Sequence, residues 1–99
     1  LSLHWGAEHT LMPVPSQRLE ARHLMQAAAD ALICHHTHTL QTVEQYKGRD
    51  IYYSIGNFIF DQAKPLNAKA CLVKVEVSND SVRTTPIPIL IRNCMPHID

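Results

Sequence analysis

The segment Ala31–Gln41, ALICHHTHTLQ, decides how the chain is read. Its first four residues form an apolar run of the length and kind that make a buried strand. The run ends by presenting His35, His36 and His38 within four positions. Imidazole carries two distinct ring nitrogens and ligates metals well, so such a cluster admits a metal site, a pH-sensitive patch or chance. In extended backbone the side chains alternate, which predicts His36 and His38 on one face and His35 on the other. Upstream, LSLHWG carries His4 directly after a second alternating apolar stretch. If these two strands are neighbours joined by the intervening helix, His4 reaches the same sheet edge as His36 and His38. Strand ends are where α/β folds place their chemistry. Three neutral nitrogen donors are the usual minimum for a catalytic metal site.

Around this segment the predicted elements alternate. The two prolines of TLMPVPSQ exclude helix, and Ser16 is placed to cap a helix over Gln17–Ala29. In that helix Leu19, Ala21, Leu24, Met25 and Ala28 recur near a 3.6 spacing. Past the histidines, Thr42–Tyr46 and Asp50–Ile55 flank the Gly-containing turn KGRD and predict a hairpin. GNFIFDQAKP reads as a loop with an aromatic core anchor. In AKACLVKVEVS, Val73, Val75 and Val77 oppose Lys74 and Glu76, and after an NDS turn VRTTPIPILIR returns as a strand whose prolines suit an edge. Strand, helix, strand, hairpin, hairpin is an α/β order with a β-rich second half.

The totals bound the function. Ninety-nine residues fit one small domain or part of a larger one. Nine basic residues balance nine acidic ones, and no basic stripe points to nucleic acid. At 45% hydrophobic and 18% charged, the composition is that of a folded domain. Cys34, Cys71 and Cys94 are odd in number with no CxxC pair, which argues against a disulfide framework and a cysteine zinc site. Cys34 and Cys71, in apolar strand-like surroundings, read as buried reduced thiols. No apolar run approaches the roughly 18 residues of a membrane span. His23 and His97 read as surface residues, and His9 has no placement near the cluster.

The motifs also carry a resemblance. His4-Trp5-Gly6, Glu8, Pro13, Gln17, His36-Thr37-His38, Gln41, Glu44, Tyr46, Tyr53-Ser54-Ile55-Gly56-Asn57-Phe58 and Phe60-Asp61-Gln62 appear in the order of the CapA family of capsule and poly-γ-glutamate biosynthesis proteins. Residues 1–62 resemble its C-terminal part, and 63–99 match only in general character. The family is similar in fold to calcineurin-like metallophosphoesterases. The resemblance therefore implies that residues 1–99 are the C-terminal segment of a four-layer α/β/β/α sandwich, with acidic motifs upstream.

It further implies a partial divalent-metal site (Mn, Zn or Fe) with His4, His36 and His38 as ligands. Glu8, His35, Gln41 and Asn57 become outer-shell or substrate-side candidates. Implied partners are the capsule or poly-γ-glutamate polymer or its precursor, and either a second copy or the N-terminal half of the same domain. The implied location is the extracytoplasmic side of a bacterial cell envelope. A non-catalytic scaffold or polymer-binding module and a non-functional remnant are the alternatives. Three positions depart from the family pattern: Cys34 stands at a glycine position expected to turn tightly, Thr37 at a proline, and His9 at an aromatic.

Overall fold

A computed structural model describes residues 1–27, 29–59 and 65–98. The first sheet has four strands: β1 (Ser2–His4), β2 (Leu32–His35), β3 (Val43–Tyr46) and β4 (Arg49–Tyr52), in the order β1-β2-β4-β3. β1 runs parallel to β2 and β2 parallel to β4, while β3 closes the sheet antiparallel to β4. Helix α1 (Pro15–Ala27) makes the crossover from β1 to β2, as a parallel pair requires.

The helix begins two residues before the predicted Gln17. Arg18 N–H donates to Val14 O, so Pro15 occupies the first helical position. There its fixed φ suits the helix and its missing N–H costs nothing, so Pro15 starts the helix and Ser16 lies inside it. The buried stripe is Gln17, Ala21 and Met25, while Leu19 of the predicted stripe is exposed. Ala28 lies outside the described residues.

Alternation along β4 separates the two faces of the sheet. Ile51 and Tyr53 join Ala21, Met25, Leu32 and Cys34 in the core beneath the helix. Tyr52 points the other way, and its hydroxyl meets Thr84 Oγ1 of the second sheet at 3.0 Å. That sheet holds β5 (Lys69–Val77), β6 (Val82–Arg92) and β7 (Met95–Ile98) in sequence order. The described layers are thus helix, mixed sheet and antiparallel sheet, an α/β arrangement. Among the described residues no helix is long and apolar enough to cross a membrane.

Two expectations for the second half change. β6 is central in its sheet, not an edge strand. Its prolines are accommodated because Cys71 N–H donates away from β6, to Ile55 O. Cys71 and Pro88 therefore face each other as a non-hydrogen-bonded pair, as do Val73 and Pro86. The N–H groups that these prolines lack would point away from β5, beyond the stretch that β7 pairs from Ile89 to Arg92. The expected aromatic anchor of the loop is also absent at Phe58, which is exposed; Phe60, Asp61 and Gln62 lie outside the described residues.

Gly56 decides how closely the sheets approach. It has φ +80°, and a Cβ there would lie 2.9 Å from both Ala70 Cβ and Lys69 O. Only glycine meets both conditions.

Glu44 on β3 ties the helix to the sheet. It accepts from Tyr53 Oη at 2.6 Å and from Arg22 Nε at 2.9 Å, with Arg18 Nη1 3.7 Å away. Desolvation pushes its carboxyl pKa up, but these two hydrogen bonds and the two guanidinium charges outweigh it and leave it lowered. A lowered carboxyl contributes stability that is complete above about pH 4.5, its ordinary value, and fades as pH falls through the folded value. Glu44→Gln should therefore cost roughly 2 kcal/mol near neutral pH, the scale of charge-assisted hydrogen bonds. In urea unfolding the difference from the parent should narrow below pH 4.5; an unchanged gap at pH 3 counts against this role.

Candidate functional site

The parallel pairing of β1 and β2 sets His4 directly beside His35, in register. Trp5 N–H then donates to His35 O, carrying the ladder one residue beyond β1. From this shared end the chain turns. β2 stops at His35, and the next residues leave extended backbone, with φ +122° at His36 and +62° at His38. The predicted strand-like alternation of His36 and His38 therefore does not hold; left-handed backbone brings them to the site. Cys34, the residue at the family's glycine position, is an ordinary strand residue paired with Leu3, and the unusual φ falls on His36 instead. A side chain at such a φ costs on the order of 1–3 kcal/mol, and strain of this kind collects at functional sites.

Thr37 holds the turn. It is fully buried, and its Oγ1 lies 2.9 Å from both Thr39 O and Ser54 Oγ and accepts from Thr39 N–H at 3.3 Å. A hydroxyl network thus fixes the loop where the family pattern has a proline ring. Gly6 packs against it with φ +106°, and a Cβ there would sit 3.0 Å from Thr37 Cγ2.

The geometry gathers most of the sequence-selected residues. His36 Nδ1 is 3.0 Å from His4 Nε2, and the His36 and His38 ring centroids are 6.3 Å apart. His35 tilts over His4 with centroids 5.4 Å apart. Glu8 Oε1 is 4.0 Å from His36 Nε2. Asn57 accepts at Oδ1 from His38 Nδ1, 2.8 Å away. Its own Nδ2 donates to the carbonyls of His38 and Asn67, which orients Oδ1 toward the ring. The neutral His38 ring therefore carries its proton on Nδ1 and its lone pair on Nε2. Gln41 lies apart from this group: it is buried, and its Nε2 donates to Thr10 O and Oγ1.

His9, given no placement by the sequence, belongs to the site. Its N–H donates to Thr37 O at 2.7 Å, its φ is +58°, and its ring stacks on His38 at 5.9 Å between centroids. The Gly6 turn, two residues after the motif histidine, was the available signal. His23 lies exposed on the helix.

A divalent cation tests this donor set. Two nitrogens sharing one cation at about 2.0–2.1 Å each are roughly 2.9–3.4 Å apart. The His4–His36 separation fits that span. The Nε2 atom of His38 is a donor of the right kind, on a ring centred 6.3 Å from that of His36. The Asn57 amide is a partner of the sort that orients ligating histidines, whereas Glu8, at 4.0 Å from His36 Nε2, is beyond hydrogen-bond range. Among the described residues no group of three His, Cys, Asp or Glu side chains is arranged to hold a metal ion as it stands. Partial desolvation, together with the nearby His36, His35 and His38 rings, lowers the His4 pKa and favours its neutral form.

The family model for bacterial capsule synthesis protein PGA_cap matches residues 1–62. The chain belongs to the PGA_cap family. It is 38% identical over 94 residues to the PGA biosynthesis protein CapA of Bacillus subtilis (strain 168), covering 94% of this chain and 25% of that protein. With the capsule biosynthesis protein CapA of Bacillus anthracis the identity is 34% over 97 residues, covering 97% and 24%. An uncharacterized protein of Sinorhizobium fredii is 39% identical over 61 residues, 62% of this chain and 12% of its own. The chain thus spans about a quarter of the length of the two CapA relatives. Similarity to them runs through nearly the whole chain, so the second half is closer to the PGA_cap proteins than its general character suggested.

Cys34 lies directly behind the site. Burial pushes its thiol up to about 11, against weaker opposing contacts from Trp5 and Leu3, and burial also raises Cys71. Both are free and buried, while Cys94 is exposed. A colorimetric thiol reagent at pH 8 should find Cys94 reacting fast and the other two only on denaturation. Three equally fast thiols would contradict this packing. Gly6→Ala, strained by both φ and the Thr37 contact, should lower stability by about 1–3 kcal/mol, measured by thermal melting.

Proposed function

We propose that this chain contributes the histidine half of a divalent-metal site in a PGA_cap protein that acts in capsule or poly-γ-glutamate biosynthesis. The observation that carries the reading is the His4–His36 contact at 3.0 Å, set at the end of two parallel strands with His38 beside it. The folding context is a metallophosphoesterase-like α/β/β/α sandwich, whose helix–sheet–sheet part corresponds to the described layers.

A cation bound here supplies Lewis acidity and a lowered pKa for coordinated water, the chemistry of phosphoester hydrolysis or transfer. The chain's own residues have distinct parts. His4 and His36 offer neutral nitrogens to one centre, with the Glu8 carboxylate 4.0 Å from His36 Nε2 adding negative charge nearby. Asn57 holds the His38 proton on Nδ1 and so keeps Nε2 able to donate its lone pair. A two-cation centre also needs anionic oxygen ligands, and among the described residues Glu8 is the carboxylate within 4.0 Å of these rings. Further acidic ligands come from elsewhere in the protein. The substrate is the polymer or its precursor, on the outer side of the bacterial envelope. Among the described residues no strand pairs with the outer side of β1, which can take a strand from the same protein or a second copy.

Titration calorimetry with Mn²⁺ or Zn²⁺ tests the site. The parent should bind, and the His36→Ala/His38→Ala double variant should lose at least about ten-fold in affinity, as removal of direct ligands demands. Equal heats for the two proteins would remove the metal reading and leave a scaffold or polymer-binding role.

A further inference from the structure

Away from the histidines, the turn between β3 and β4 and the C-terminal end of α1 flank an open cavity of about 420 Å³, lined by Met25, Gln26, Tyr46, Lys47 and Arg49. The volume is that of a small-ligand cleft. The sheet fixes its distance from the site. β2 and β4 are parallel with Leu32 beside Ile51, so Arg49 is level with Asp30, five residues before His35. At about 3.3 Å per residue, the cavity stands roughly 17 Å from the strand end that carries the histidines.

The lining suits a ligand with carboxylates on short apolar links. Lys47 and Arg49 are exposed cations, and among the described residues neither forms an ion pair. Arg22, whose guanidinium also reaches the Tyr46 ring, is instead neutralised by Glu44 at 2.8 Å. Arg49 Nη1 donates to Met25 O and Ala29 O, which anchors the guanidinium and leaves its other N–H groups to donate. The Lys47 ammonium lies 5.5 Å from the centre of the Tyr46 ring. Tyr46 Oη accepts from Gln26 Nε2 at 2.8 Å, so the hydroxyl proton is left for another acceptor. Two cations without carboxylate partners and a hydroxyl donor thus adjoin the apolar surfaces of Met25 and the Tyr46 ring.

We propose that this cavity is a binding subsite for a carboxylate-bearing polymer, separate from the histidine cluster. Lys47, Arg49 and the Tyr46 hydroxyl take the carboxylates, and Met25 and the Tyr46 ring pack against the methylene links. The identity of the polymer rests on the proposed reading that poly-γ-glutamate or its precursor is the substrate. A single glutamyl unit cannot span roughly 17 Å to the histidines, whereas a chain held in the cavity can. An anionic membrane surface is the poorer fit, since segments that bind one carry clusters of about 4–8 Lys or Arg, and only Lys47 and Arg49 line this cavity.

Binding of poly-γ-glutamate to the intact protein, measured in chelator-treated buffer without metal, tests the subsite. Lys47 has φ +52° in the hairpin turn, where asparagine is favoured, so Lys47→Asn removes the charge while the thermal midpoint stays level or rises. That variant should bind the polymer about ten-fold more weakly, the loss of one charge-assisted contact, and Lys47→Arg should match the parent. Equal affinity in Lys47→Asn and the parent overturns the proposal. So does a parent that binds phosphatidylglycerol vesicles, or nothing, in place of the polymer. The His36→Ala/His38→Ala variant should keep the parent's metal-free affinity, because neutral imidazoles without a cation offer the polymer no charge. A ten-fold loss there would put the polymer on the histidines and overturn a separate subsite. The measurement needs no metal, so a failed metal titration bears on the proposed metal centre and not on this cavity.

Discussion

Every feature of the site descends from one register, the parallel pairing that sets Leu3 against Cys34 and His4 against His35. A slip of one residue would turn His4 to the other face of the sheet. The register is held from behind by apolar packing, where Leu3 and Trp5 join the cluster of Ala21, Met25, Leu32 and Cys34 under the helix. Core packing and site geometry are therefore one constraint. The same burial that makes Cys34 a poor thiolate fixes the strand end from which the histidines emerge.

Beyond the strand end, the site is built from residues in backbone conformations that favour glycine. Gly6, His9, His36 and His38 all have positive φ. Such turns hold only when their surroundings determine them. Here those surroundings are the buried Thr37 network, the Gly6 contact and Asn57. Order in the loop comes from polar satisfaction, with the sheet supplying the platform.

The strand–helix–strand start and the hairpin after it were legible in the sequence because apolar periodicity is a local signal. The placement of His4 beside the second strand followed from the parallel crossover. What the sequence hid was tertiary in origin. His9 reaches the cluster through a hydrogen bond to Thr37 and a partner, Asn67, 58 residues away. The turn at His36 gave no sign, since a histidine at φ +122° follows from packing and not from propensity. β6 looked like an edge because proline lacks an N–H, and the direction of the missing groups became clear only from Cys71 donating to Ile55. β7, four residues containing a proline, offered no period to read.

X-ray absorption of the intact protein with one equivalent of Zn²⁺ reads the donors of the proposed metal centre directly. The account predicts a first shell of at least two imidazole nitrogens at about 2.0–2.1 Å, with oxygen completing it. A sulfur shell at about 2.3 Å, or a shell of oxygen alone, would place the cation elsewhere and contradict the account.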